Sequence, residues 1–298
     1  MRCDRCNSES VIFQQYSGLH LCRQHLVADI EAKAKRAIRT HHWMERNDHI
    51  AVALSGDKKS SALLRFFHTL TSERRDITLS AITIDEGITG YRDPAGAVNL
   101  AASLGIPCAV GSFLDEYGAG MDDIVARQGG SQACSYCGAL RRFLLNRIAR
   151  GQGVTKLALG STLDDEAVVV LTHLLNGEPE HVLHPEQQGA GMVQKIRPFM
   201  HIPEPEVDLY AGLHPGGAGD RRCPYENDPL MTDVRTLLTD YTLRHPSTNH
   251  SLVTLGTRIS DASRAQETKI HTCERCGEPR GAVCPTCRII GEVRGGAV

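Results

Sequence analysis

The chain has 298 residues, of which 41% are hydrophobic and 23% are charged, enough for one main core with small appended modules. The formal net charge of −2 excludes a surface that is basic overall, so any contact with nucleic acid must come from local patches. No run of about 18 apolar residues occurs, and no apolar signal segment follows Met1. We therefore expect a cytoplasmic protein that does not associate with a membrane.

Eleven cysteines are present, and most of them stand in pairs separated by two residues. A reducing cytosol keeps thiols free, so such pairs indicate metal ligation rather than disulfide bonds. They divide into an N-terminal set with a histidine, a central set and a C-terminal set. Cys108 is left over in an apolar stretch, where a free cysteine packs as a small hydrophobic side chain.

The N-terminal set has the layout of a zinc knuckle with three cysteines and one histidine. Its two short-loop pairs can close a tetrahedron around one Zn²⁺, and the ligands are Cys3, Cys6, Cys22 and His25. The alternative is a group of buried free thiols. We assign residues 1–27 to this module, which is too small to bury its own core, so the metal would supply its folding energy.

Residues 28–48 are predicted to form a basic linker helix. The basic side chains of this stretch are Lys33, Lys35, Arg36, Arg39, His41, His42 and Arg46. Most charge runs are a solvated face, and this is one interpretation. The alternative is a patch that contacts an RNA backbone, which the neighbouring zinc knuckle favours.

The stretch 50–61 predicts an anion-binding junction between a strand and a helix. Residues 50–54 are an apolar run typical of a buried parallel strand, and Ser55-Gly56 turns this strand into a helix. Free backbone N–H groups at such a helix start bind phosphate. Four side chains add donors, namely Ser55, Lys58, Ser60 and Ser61. The alternative is a turn that is only capped.

Further pairs of strand and helix are predicted to complete one domain over residues 49–250. The strands are expected at 77–84, 106–110 and 156–160. Asp85 and Glu86 follow the first of these strands and would lie at the carboxyl edge of a parallel sheet. Asp164 and Asp165 begin a helix, where they serve either as capping residues or in a Mg²⁺-nucleotide site.

A central pair of cysteines, Cys134 and Cys137, opens a predicted helix, with Arg141 and Arg142 one turn further on. Thiols at a helix N-terminus have a lowered pKa, which suits redox chemistry, persulfide chemistry or metal binding. Cys223 is distant in sequence, but it can join this pair in space.

The C-terminal set predicts a zinc ribbon over residues 268–298. Two pairs of cysteines are separated by a short loop, and the ligands are Cys273, Cys276, Cys284 and Cys287. Four cysteines at this spacing are a strong signal of a metal site.

The stretch 55–60 resembles the SGGKDS signature of the PP-loop ATP pyrophosphatases. The matching residues are Ser55, Gly56, Lys58 and Ser60. Together with both terminal metal sets and the central cysteines, the chain resembles over essentially its whole length the tRNA 2-thiouridine synthetase family, which includes the TtuA proteins and the wobble-uridine thiolases. Three residues depart from the family pattern, namely Asp57 for glycine, Lys59 for aspartate and Ser161 for histidine.

The resemblance implies an adenine-nucleotide α-hydrolase-like α/β fold, in which a doubly wound parallel sheet is flanked by two zinc modules and ATP lies where the strand order reverses. It implies that the nucleotide site comprises Ala53, Ser55, Gly56, Lys58, Ser60, Ile84, Arg141, Gly160 and, beside Mg²⁺, Asp165. It also implies that Cys134, Cys137 and Cys223 hold a [4Fe–4S] cluster or carry a persulfide. The catalytic residues would then be Cys134, Cys223, Lys58 and Arg141.

The implied activity is 2-thiolation of a tRNA uridine, in which ATP adenylates the C2 oxygen and sulfur then displaces AMP. The implied partners are tRNA, a sulfur-carrier protein or sulfide as sulfur donor, and a second copy in a homodimer. The three departures favour an alternative, a catalytically divergent paralogue that binds tRNA or an iron–sulfur cluster and assists an active partner. Asp57 would repel the polyphosphate, and Lys59 would offset its charge. A ligase similar to lysidine synthetase is a third interpretation, which leaves the three cysteines without a role.

Overall fold

The computed structural model describes residues 1–177, 192–213, 222–264, 273 and 284–294. Its central sheet is formed by β3 (His49–Ala53), β4 (Thr78–Asp85), β5 (Cys108–Ser112), β6 (Lys156–Ala158) and β7 (Gln194–Ile196). The five strands are parallel and lie in the order β5-β4-β3-β6-β7. This is the doubly wound sheet that the sequence predicts.

Helices cover both faces of the sheet. They are α1 (Arg23–Thr40), α2 (Lys58–Thr71), α3 (Pro94–Ser103), α4 (Phe113–Tyr117), α5 (Met121–Gln128), α6 (Ala133–Gly151), α7 (Leu163–Leu175), α8 (Glu204–Gly212), α9 (Pro229–Arg244), α10 (Thr248–Arg264) and α11 (Pro285–Val293). Successive residues of β3 belong to different hydrophobic cores. Ile50 lies in the core that contains residues of α1, α2 and α7, and Ala51 lies in the core that contains residues of α5 and α6. No helix in the described part of the chain is both long and apolar enough to cross a bilayer.

The strand order reverses between β3 and β6. The chain runs from β3 outward to β4 and β5, then returns to the opposite side of β3 to form β6. The loops that follow β3 and β6 meet at this carboxyl edge. A Cβ atom added at Gly160 would lie 3.0 Å from the backbone nitrogen of Ser60, so only glycine permits this close approach. Ligands of open α/β sheets bind at such a crevice.

A separate antiparallel hairpin, formed by β1 (Ile12–Gln14) and β2 (Leu19–Leu21), precedes α1. The helix predicted at 28–48 begins and ends earlier than expected, at Arg23 and Thr40, so His25 lies in its first turn. One face of α1 is buried in the main core by Leu26, Ile30, Ala34, Ala37 and Ile38. This helix is therefore packed on the sheet domain rather than being an independent linker.

Polar contacts hold the hairpin against α8. Tyr16 donates a hydrogen bond of 2.6 Å to Glu206, and Lys33 forms an ion pair of 3.2 Å with the second oxygen of this carboxylate. Lys33 also lies 2.6 Å from Asp29. Burial and the nearby charge of Glu206 raise the pKa of Tyr16, so the phenol stays protonated and acts as the donor.

Several elements differ from the predictions. The predicted domain end at residue 250 falls inside α10, which packs on α7 with Gly256 against Val170. Helix α11 was not predicted either; its Glu292 accepts a hydrogen bond of 2.6 Å from Tyr136 on α6. Cys108 is half-buried and packs against the core, as expected of a free thiol in an apolar strand.

Candidate functional site

The loop between β3 and α2 carries the residues that resemble the PP-loop signature. Ala53 is the last residue of β3, and Gly56 adopts a φ of 83°, a left-handed conformation that favours glycine. Asp57 is the N-cap of α2, and its carboxylate accepts a hydrogen bond of 2.8 Å from the backbone N–H of Ser60. The charge of Asp57 is thus turned onto the start of the helix, which stabilises it.

The two serines of the loop have different roles in the fold. The Ser55 hydroxyl donates a hydrogen bond of 3.0 Å to the hydroxyl of Ser60, which is buried. Ser60 therefore supports the loop from inside, while Ser55 and Lys58 are partly exposed at the crevice. Lys58 lies 3.7 Å from Asp208 on α8, a partly exposed pair that contributes little to stability.

The ammonium group of Lys59, which was expected to offset the charge of Asp57, pairs with carboxylates of two other helices. Its Nζ lies 2.8 Å from Asp165 on α7 and 3.3 Å from Glu204 on α8. Arg235 on α9 approaches the same two carboxylates at 2.9 and 3.4 Å. We call these four side chains, Lys59, Asp165, Glu204 and Arg235, the Lys59 cluster. It joins the N-terminus of α2 to the N-terminus of α7 across the crevice.

Both oxygens of Asp165 are engaged. Burial alone would raise the pKa of this carboxyl group, but Lys59 and Arg235 lower it to about 2. Oδ2 also accepts hydrogen bonds from the backbone nitrogen and the hydroxyl of Thr162, at 3.0 and 2.9 Å. The carboxylate is therefore ionised at neutral pH and already surrounded by donors. This geometry does not fit the prediction that Asp165 lies beside Mg²⁺.

We predict that Asp165→Asn lowers the free energy of unfolding by about 2 kcal/mol at pH 7, since the folded-state pKa is about 2 against an ordinary value of 3.8. A lowered pKa stabilises the folded state above the unfolded pKa, and this contribution is lost as the pH falls. The difference from the natural chain should therefore stay constant down to pH 5 and shrink between about pH 4 and pH 2. Urea unfolding at several pH values measures it, with Asp208→Asn as the exposed control. A difference that is unchanged at pH 3 would contradict the prediction.

Arg141 connects a buried carboxylate to one of the central cysteines. Glu86 follows β4 and is 3% exposed, and its Oε1 lies 2.8 Å from Nε of Arg141. Arg141 in turn donates a hydrogen bond of 3.1 Å to the sulfur of Cys137, one turn earlier in α6. Burial raises the pKa of the Cys137 thiol, and the charge of Arg141 opposes part of this increase. The guanidinium is thus held in position to stabilise a thiolate.

The three central cysteines line one cavity of about 770 Å³. Cys134 contacts the loop after Cys223, because its sulfur accepts a hydrogen bond of 3.3 Å from the backbone nitrogen of Asn227. The charge of Cys223 contributes to the raised pKa of Cys137, so these thiols act on each other electrostatically. Arg235 of the Lys59 cluster lines the same cavity. Arg235 therefore connects the Lys59 cluster to the cysteine cavity, although the loop between β3 and α2 does not itself line that cavity.

The terminal cysteine sets are packed much more closely than the central set. Cys3 and Cys22 each lie 3.4 Å from Nδ1 of His25, and the sulfurs of Cys6 and Cys22 are 3.7 Å apart. Zinc–sulfur bonds of 2.3 Å in a tetrahedron require sulfur separations of about 3.8 Å, so this geometry fits Zn²⁺.

The C-terminal set has the same spacing where the structure describes it. The sulfur atoms of Cys273 and Cys287 are 3.8 Å apart, and Cys284 belongs to the same buried group. The fourth predicted ligand, Cys276, lies outside the described residues. Within the described chain, the sulfur atoms of the central cysteines do not all lie within 4.8 Å of one another, in contrast to the ligand atoms of the terminal sets.

Comparison with known proteins identifies the family. The profile of the 2-thiouridine synthetase TtuA N-terminal LIM domain matches residues 2–27, and the profile of the PP-loop domain matches residues 26–216. The tRNA 2-thiolation protein NcsA of Haloferax volcanii is 32% identical over 318 aligned positions, which cover 98% of this chain and 99% of the relative. The chain belongs to the tRNA 2-thiolation family.

Two further members of the tRNA 2-thiolation family extend the comparison. The cytoplasmic tRNA 2-thiolation protein 1 of Caenorhabditis elegans is 29% identical over 96% of this chain and 78% of its own length. The solved structure of the U34-tRNA thiolase NcsA from Methanococcus maripaludis, with its [4Fe-4S] cluster, matches with a TM-score of 0.86 at 27% identity. It covers 100% of this chain and 97% of the relative. The resemblance and the fold class stated from the sequence are thus confirmed.

The remaining predicted nucleotide contacts lie around the crevice. Ala53 and Ile84 are at the ends of β3 and β4 and belong to the core on the α6 side, and Ile84 is 8% exposed. Gly160 lies against the start of α2. Sequence analysis missed Glu204 and Arg235, because neither stands in a motif and both reach the site only through the packing of α8 and α9.

Proposed function

We propose that this chain is an ATP-dependent tRNA sulfurtransferase that replaces the C2 oxygen of uridine 34 with sulfur. The main support is that Arg235, which pairs with Asp165 of the Lys59 cluster, also lines the three-cysteine cavity. The solved thiolase that spans the whole chain acts on U34-tRNA and supports the choice of uridine. Mass spectrometry of tRNA nucleosides tests the proposal, because loss of the protein should remove 2-thiouridine from tRNA.

The chemistry requires two bond changes at uridine. The C2 oxygen attacks the α-phosphorus of ATP and pyrophosphate leaves, which converts a poor leaving group into AMP. Sulfur then forms a bond to C2, and the C–O bond breaks with departure of AMP. We propose that Ser55, Gly56 and Lys58 bind the phosphates at the positive end of α2. Arg141 stabilises charge that develops on the sulfur side of the site.

The donor set suits a [4Fe–4S] cluster. Three thiols, Cys134, Cys137 and Cys223, line a single cavity and are spaced more widely than the zinc-type sets. We propose that these residues hold the cluster, which supplies one iron without a protein ligand for the incoming sulfur. Arg141, which is paired with Glu86, fixes the orientation of the Cys137 sulfur, and its charge opposes part of the effect of burial on the pKa of this thiol. Without the cluster, the same thiols could carry a persulfide.

The partners and the location follow from the surface and the relatives. We propose that tRNA contacts α1, where Arg36 and Arg39 are exposed on the solvent side of the helix. A sulfur-carrier protein or sulfide is the proposed donor, and a homodimer is the proposed assembly. We also propose a cytoplasmic location, since the eukaryotic relatives carry that word in their names.

We propose one structural Zn²⁺ in each terminal set, so that anaerobically purified protein contains about two zinc ions per chain. Cys22→Ser should lower this to about one and destabilise the hairpin, because a structural zinc site supplies folding energy. Elemental analysis measures both values, with Cys108→Ser as a control that keeps full zinc content. Fewer than about 1.5 zinc ions in the natural chain would contradict this assignment.

One observation favours the alternative, a catalytically divergent paralogue that assists an active partner. The Asp57 carboxylate occupies the Ser60 N–H group at the helix start, and this amide would otherwise be available to a phosphate. The two functions are separated by turnover of purified protein with ATP, tRNA and sulfide. Thiolated tRNA formed by the isolated chain supports the enzyme, and formation only after adding a second thiolase supports the assisting role.

A further inference from the structure

The Lys59 cluster encloses one cation between two carboxylates. Oδ2 of Asp165 and Oε1 of Glu204 converge on the Lys59 ammonium at 2.8 and 3.3 Å. The other oxygens of these carboxylates face Arg235. Two positive and two negative groups thus alternate, and the cluster is neutral.

The ammonium group of Lys59 lies at the point on which two carboxylate oxygens converge. Oxygen ligands converging on one point beside a nucleotide loop are the arrangement that Mg²⁺ uses in phosphate chemistry. Here the convergence point is filled by a side chain of the chain itself. Burial lowers the pKa of Lys59, but Asp165 and Glu204 raise it further, and the net direction is upward. The ammonium therefore keeps its charge throughout the physiological range.

The backbone fixes the position of this ammonium. Lys59 is in the first turn of α2, and that turn is held against the loop after β6 by the close approach of Gly160 to the backbone of Lys59 and Ser60. Asp165 is in the first turn of α7 and is bonded to Thr162, the N-cap of this helix. A shift in the backbone of Lys59 or of Asp165 would therefore disturb the start of a helix.

We propose that Lys59 is a built-in cation that takes the place of a protein-bound divalent metal at the nucleotide loop. The protein then offers no carboxylate to a metal at this position, and any Mg²⁺ enters and leaves with ATP. The first part of the proposal, that Lys59 fills the position of a metal, concerns the protein alone. The second part, that Mg²⁺ enters and leaves with ATP, rests on the proposed function. A metal would have to displace two cations from Asp165 and Glu204, and the ammonium would lose its partners.

Titration with Mn²⁺ alone tests the first part, with free Mn²⁺ followed by electron paramagnetic resonance on protein loaded with zinc and cluster. We expect no saturable Mn²⁺ site in the natural chain and one new saturable site in Lys59→Asp. This site should bind Mn²⁺ at least about tenfold more tightly than the weak, non-saturating binding to the natural chain. Lys59→Met removes the ammonium without adding a ligand and should remain closer to the natural chain than to Lys59→Asp.

Lys58→Asp is the matched control, because it changes the net charge by the same amount at the adjacent residue, whose side chain faces Asp208 instead. A gain in Mn²⁺ affinity equal to that of Lys59→Asp would assign the effect to net charge and overturn the proposal. A saturable Mn²⁺ site in the natural chain, lost on Asp165→Asn, would also overturn it.

Calorimetry with ATP tests the second part. The affinity of the natural chain for ATP should differ by no more than about threefold between buffer with Mg²⁺ and buffer freed of Mg²⁺ without a chelator, because the protein adds no metal ligand and its structural zinc is retained. A loss of binding without Mg²⁺ that Lys59→Asp does not change would overturn the proposal and leave the proposed function standing. Absence of ATP binding in both conditions would instead contradict the proposed function, while the Mn²⁺ result would still decide the first part.

Discussion

Replacing Cys223 by serine should remove the iron–sulfur cluster and lower 2-thiolation about 100-fold or more, with the fold retained. Cys223 is partly buried and lines the same cavity as Cys134 and Cys137. A hydroxyl is a poor ligand for iron, and two thiolates alone cannot anchor a cluster that has one open iron. The loss should therefore appear in iron and sulfide content before any assay of activity.

Iron and acid-labile sulfide per chain, with the visible absorption of the cluster, measure this effect. Cys108→Ser is the control, because Cys108 lies on β5 outside the cavity and should keep full cluster content. Unchanged iron content in Cys223→Ser would show that this residue is not a ligand. Retained activity with no iron in either protein would favour the persulfide route on Cys134 and Cys137.

Replacing Arg141 by methionine should destabilise the protein by about 3 kcal/mol and lower cluster retention about tenfold or more. The substitution leaves the buried Glu86 carboxylate without its main partner and removes the N–H donor to the Cys137 sulfur. The stability effect lies at the lower end of the range for a broken buried pair, because Arg92 remains within 3.8 Å of Glu86.

Arg142→Met is the matched control, since Arg142 is the next residue of α6 and is exposed. It should change the free energy of unfolding by less than about 0.5 kcal/mol. The double variant Glu86→Gln with Arg141→Met should recover part of the stability but not the cluster, because the lost donor to Cys137 is not replaced. Equal cluster content in the Arg141 and Arg142 variants would contradict a positioning role for Arg141.

The sequence predicted those parts of the site that are encoded locally. The turn at Ser55-Gly56, the cysteine pair at the start of α6 and the Cys3His set each depend on a few neighbouring residues. Such short patterns have few alternative geometries, so the strand-to-helix turn, the helix start and the tight ligand group were all found in the structure.

The charged partners of the loop between β3 and α2 could not be predicted, because they come from segments that are distant in sequence. Lys59 meets Asp165 and Glu204 only after β6, α7 and α8 have packed around β3. From the sequence, Asp57 was expected to repel the polyphosphate. In the structure it is the N-cap of α2, and its carboxylate accepts a hydrogen bond from the backbone N–H of Ser60. The effect of a residue that departs from a motif therefore depends on contact residues that lie outside the motif.

The central claim is tested most directly by mass spectrometry of tRNA nucleosides from a strain that lacks this protein and is complemented with the natural chain or with Cys223→Ser. We expect 2-thiouridine derivatives at position 34 to disappear on deletion, to return with the natural chain and to stay absent with Cys223→Ser at equal protein level. Unchanged 2-thiouridine in the deletion strain, or full restoration by Cys223→Ser, would contradict the assignment of this chain as a tRNA 2-thiolase that acts through its central cysteines.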